Sequence, residues 1–88
     1  MSLVEFLAEY CGATLAERRD DDAEDLATLG ARLLEFPDGR RLILIERTYR
    51  DGIHLIADPT EAEIAAMRSG DLWDLWNSDR STGLGGIL

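Results

Sequence analysis

Two apolar runs, Leu33-Leu34-Glu35-Phe36 and Leu42-Ile43-Leu44-Ile45, stand on either side of Pro37-Asp38-Gly39, and this arrangement restricts the fold more than any other feature. Proline presets the φ of a turn, aspartate bonds to nearby backbone, and glycine accepts a positive φ, so the segment predicts an antiparallel hairpin. The second run is continuous and rich in β-branched residues, which suits a central strand. Asp51-Gly52 predicts another tight turn, into Ile53-His54-Leu55-Ile56-Ala57, and so a three-stranded meander. Arg47 and Tyr49 dilute the end of the second strand, which is expected to emerge toward solvent.

The flanks read as helices. Ser2 with Glu5 three residues later has the pattern of a capping box, and Leu3, Phe6, Leu7, Tyr10, Cys11 and Leu15 recur at helical spacing as one apolar stripe. Glu5, Glu9 and Glu17 fall largely outside it. Gly12 either weakens this helix by about 1 kcal/mol relative to alanine or admits a close backbone. Arg18 and Arg19 suit the C-terminus of one helix, and the carboxylates that follow suit the N-terminus of the next. Leu26, Leu29 and Leu33 fit a short second helix, whereas Leu29, Ala31 and Leu33 alternate equally well as a strand. The expectation is a helical turn or two through about Leu29, a break at Gly30, and strand from Ala31 to Phe36.

Asp58-Pro59-Thr60-Glu61 predicts a helix start with Asp58 at the N-cap and Pro59 in the first helical position. Ile64, Ala65 and Met67 or Arg68 continue it to a stop at Gly70, and Asp71 caps a short helix carrying Leu72, Trp73, Leu75 and Trp76. Residues 78–88 form a Gly/Ser-rich tail. The expected fold class is α+β: a three-stranded antiparallel sheet with an N-terminal helix and one or two C-terminal helices, as a two-layer sandwich in one domain spanning residues 1–88. The uncovered sheet face would carry apolar positions, which invites a partner.

Charge narrows the function classes. Eighteen carboxylates oppose nine arginines and no lysine, a formal −9 over 88 residues, so direct binding to nucleic acid or to an anionic membrane surface is disfavoured. The expected partners are basic protein surfaces or cations. With 45% apolar residues in periodic clusters the chain should fold, and the usual per-residue figure gives a stability of about 4 to 13 kcal/mol. Cys11 is the only cysteine, no secretion signal stands at the N-terminus, and no apolar run approaches the ~20 residues of a membrane span. A reducing compartment such as the cytosol is the expected location.

Six carboxylates form the first candidate site: Glu17 and the run Asp20, Asp21, Asp22, Glu24 and Asp25. Alternate residues of an extended chain lie about 6.6 Å apart, comparable to successive phosphates, so the run can present a phosphate-like row to an arginine-rich groove. The alternative is a solvated loop of helix-capping groups. It lacks the glycine turn and terminal glutamate of a calcium loop, and no cofactor or metal is expected. Trp73 and Trp76 form the second candidate, three apart on one helix face, either as partner anchors or as core residues. His54 is expected to be a packed or edge residue, and Cys11 a buried, inert one. No nucleophile–base pair stands out, so a non-enzymatic role is expected.

The helix–three strands–helix order resembles the double-stranded-RNA-binding domain in topology. That family's last helix opens with a lysine cluster, where this chain has Thr60, Glu61, Ala62 and Glu63. In size and charge the chain is similar to small phage-encoded inhibitors, including anti-CRISPR proteins, a likeness of general character that rests on no motif. It implies a nucleic-acid mimic that occupies the phosphate-binding surface of a nucleic-acid-handling protein. The alternative is an assembly subunit that self-associates through the sheet face and the tryptophan helix.

Overall fold

A computed structural model describes residues 2–21, 29–47 and 52–83. The order of elements is α1 (Leu3–Cys11), β1 (Thr14–Asp21), β2 (Leu29–Glu35), β3 (Arg41–Arg47), β4 (Gly52–Ala57), α2 (Glu61–Arg68), α3 (Leu72–Trp76) and β5 (Thr82–Gly83). The fold is α+β, with an N-terminal helix, C-terminal helices and an antiparallel sheet. That sheet has five strands in sequence order, not three. None of the described helices is long and apolar enough to cross a membrane.

The predicted hairpin joins β2 to β3: Asp38 accepts a hydrogen bond from the Arg40 amide at 3.0 Å, and Gly39 takes φ +89°. The added strands come from segments that read otherwise. Thr14–Asp21 reads as the end of a helix followed by a cap, yet it pairs with β2 from Thr14 opposite Glu35 to Asp21 opposite Leu29. Gly12 explains why α1 stops short of Leu15. It adopts φ +71° at the helix C-terminus and bonds back to the Leu7 carbonyl, a conformation that favours glycine. A Cβ at this position would also stand 2.9 Å from the Pro37 ring.

Gly30 likewise lies inside β2 and breaks nothing, while residues 22–28, where a helical turn is expected, lie outside the described region. At the other edge, Thr82 and Gly83 of the expected tail pair with Leu55 and His54.

The start of α2 is shifted by two residues from expectation. Thr60 is the N-cap, in a reciprocal capping box with Glu63, and Asp58 sits before it at φ +48°. Gly70 ends α2 as predicted, at φ +83°, with its amide on the Met67 carbonyl and the Asp71 amide on that of Ala66, a Schellman closure. Asp71 holds the N-cap position of α3 without a side-chain capping bond.

Alternation places Leu29, Ala31 and Leu33 of β2, Ile43 and Ile45 of β3, and Ile56 of β4 on one sheet face. They form a single buried cluster with Ile64 and Met67 of α2 and Leu72 and Leu75 of α3. The opposite face is not simply bare: Leu34 and Leu44 on it are also buried. Among the described residues, the large exposed apolar side chains lie elsewhere, at Phe6 (46% exposed), Tyr10 (65%), Leu15 (45%) and Trp73 (40%).

Candidate functional site: an acidic strand end beside a tryptophan cluster

The described start of the acidic run, Asp20 and Asp21, and the tryptophan helix about fifty residues later lie at the same end of the sheet. Asp21 and Leu29, which flank residues 22–28, stand opposite each other. Leu29 stands opposite Arg47, and Arg47 opposite Gly52, so all four occupy one rung. From that rung the Arg47 guanidinium reaches the tryptophans, its carbon 5.2 Å from the Trp73 ring centre and 5.6 Å from that of Trp76. Both separations are within cation–π range. The Nε of Arg47 is buried and has no hydrogen-bond partner among the described residues, so the ring faces are the principal described neighbours of this cation. Arg47 is half-buried and lies against the aromatics, so at this residue the expected emergence into solvent does not occur, while Tyr49 lies outside the described residues.

The tryptophans do different work. Trp76 is half-buried, packs on the core cluster and stacks on His54, with ring centres 3.6 Å apart and planes 11° apart. Its carbonyl accepts hydrogen bonds from His54 Nδ1 at 2.9 Å and from Ser81 Oγ at 3.0 Å. A carbonyl only accepts, so Nδ1 carries the imidazole proton. This fixes the histidine ring against the start of β5. Trp73, one helical turn away, keeps 40% of its surface in solvent beside the exposed Asp71 and Asp74.

The carboxylates also divide. A bulge at Ala16 sets Glu17 opposite Leu33, on the face that α2 covers, and Arg68 of α2 grips it with contacts of 2.6, 2.9 and 3.1 Å. Hydrogen bonding from that guanidinium holds the Glu17 carboxyl below the usual carboxylate range. Asp20 lies on the opposite face and accepts from Arg32 at 2.8 Å and from Arg18 at 3.1 Å, which likewise lowers its pKa, Arg32 contributing most. Glu63, capping α2 and bonded by Arg80, is depressed by the same kind of contact. Glu17 and Asp20 thus spend their charge inside the molecule. Asp21 is placed by its backbone at the strand end, and Asp22, Glu24 and Asp25 lie outside the described residues.

Sequence reasoning missed Arg47 as the companion of the tryptophans, because only strand register and helix packing bring them together. It also misjudged Cys11, expected on a buried stripe but exposed, since α1 buries none of its residues fully. Among the described residues no three His, Cys, Asp or Glu gather as a metal would require. No family model matches the chain, and neither a curated protein nor a solved structure matches it.

Proposed function

We propose that this protein is a non-catalytic binding module that blocks a basic, nucleic-acid-handling protein by occupying its phosphate-binding surface. What supports the reading is one juxtaposition: the strand ends flanking the acidic run share a rung with Arg47, whose guanidinium lies against the half-exposed Trp73. A cationic target then meets carboxylates and an aromatic anchor on the same end of the sheet. Glu17 and Asp20 already hold Arg68 and Arg32, so recognition falls to Asp21, Asp22, Glu24 and Asp25, with Trp73 adding apolar contact. Trp76 serves the core.

The test is affinity capture from a host lysate at low and high ionic strength, repeated in the presence of competing nucleic acid. The expected result is nucleic-acid-binding proteins that are released by salt and displaced by the competitor. Converting Asp21, Asp22, Glu24 and Asp25 to amides leaves the Glu17–Arg68 and Asp20–Arg32 pairs intact and should abolish capture; unchanged capture sinks the reading. Self-assembly is the other reading, in which the acidic run only keeps the particle soluble. Light scattering separates them, because a salt-insensitive oligomer that dissociates on Trp73→Ala belongs to assembly alone.

A further inference from the structure

Among the described residues, a cluster of exposed apolar side chains lies at the other end of the sheet. Phe6 and Tyr10 of α1, four residues apart, form one row with ring centres 4.8 Å apart. Glu5 and Glu9, with the same spacing, form a second exposed row beside it. The helix contains no cation. The chain leaves α1 through Gly12, against Pro37 of the β2–β3 turn, and enters β1 where Thr14 faces Glu35 and the exposed Leu15 faces Leu34. Arg40 on that turn is held by Asp38.

We infer that α1 is a second docking surface, whose occupant is a basic amphipathic protein segment. Its apolar side chains would cover Phe6, Tyr10 and Leu15, while its arginines or lysines reach Glu5 and Glu9. Charge selects this occupant. A second copy would set carboxylate rows against carboxylate rows on two bodies of formal −9 each, and an anionic lipid surface meets the same repulsion. Exposed aromatics beside carboxylates suit a guanidinium, which stacks on a ring while pairing with an acid. A nine-residue helix that buries no residue fully is marginal by itself, so a covering segment also steadies it.

The probe is a synthetic amphipathic helix of leucine and arginine, with a leucine–glutamate helix of the same pattern as control, titrated by fluorescence anisotropy. The arginine peptide should bind and should slow alkylation of Cys11, the residue after Tyr10, while the glutamate peptide does neither. Tyr10→Ala should weaken binding about tenfold. The double change Glu5→Gln with Glu9→Gln removes no packing and should weaken binding and flatten its salt dependence. Trp73→Ala should leave the affinity unchanged, so failure of the acidic-run reading and failure of this one are distinguishable. Wild-type affinity in the Tyr10 and glutamine variants, equal binding of the glutamate peptide, unaltered Cys11 reactivity, or a dimer of the free chain that Phe6→Ala dissolves would each overturn it.

Discussion

Helices α1 and α2 are of similar length, nine and eight residues, and each starts with a hydroxyl side chain accepting an amide hydrogen bond. The more apolar of the two is the one that buries no residue fully, with Leu3, Val4 and Leu7 only half-buried. In α1 seven residues are apolar and none is fully buried, whereas α2 places two glutamates and an arginine among its eight and still drives Ile64 and Met67 into the core. Position over the sheet, not hydrophobic content, decides which helix stabilises the domain. The apolar surplus of α1 stays partly in solvent, at Phe6 and Tyr10.

That contrast can be broken most directly in the core. Ile64→Ala should cost about 2 to 5 kcal/mol, comparable to the whole stability of so small a domain, whereas Phe6→Ala should stay within about 0.5 kcal/mol. Urea denaturation reads both, and a large loss at Phe6 would mean α1 is structural. Next in size, Trp76→Ala should cost about 2 to 3 kcal/mol because it removes the ring under His54, with Trp73→Ala at about 1 kcal/mol or less. Equal losses would erase the distinction between anchor and core. Gly12→Ala should cost about 1 to 2 kcal/mol by forcing a side chain into a left-handed conformation against Pro37, visible as a lowered melting temperature.

The smallest effect is electrostatic. The carboxyl of Glu63 titrates lower in the folded chain than in the unfolded one, because Arg80 and the Thr60 amide bond its ionised form. Its contribution is therefore fully present above the unfolded pKa and is lost as pH falls through the lower folded value. Glu63→Gln should be less stable than wild type at neutral pH. The two stability curves should converge in acid, and curves that stay parallel would remove the ion pair from the account.

The hairpin at Pro37-Asp38-Gly39 was legible because its turn residues act within a few positions of one another, and so were the cap at Ser2 and the stop at Gly70. Thr14–Asp21 was not. Its charges fall on both faces and show no alternation, as an edge strand tolerates, and only the partner strand β2 makes it extended. The start of α2 was misplaced because Asp58 and Thr60 are both eligible caps, each with a glutamate three residues on, and only the Thr60–Glu63 pair forms both reciprocal bonds. Of the candidate site, the tryptophan helix was visible as a pattern, but the separate fates of Trp73 and Trp76 depended on what the fold brought beneath each ring.

The sequence by itself determined the net charge, the helix caps and the central hairpin, because each is a composition or an interaction spanning a few residues. Tertiary structure decided which helix supplies buried core residues and that Glu17 and Asp20 are held in ion pairs. Those outcomes depend on partners far along the chain, Asp20 on Arg32 twelve residues away and Glu17 on Arg68 fifty-one away, and a local pattern carries no record of such distant neighbours.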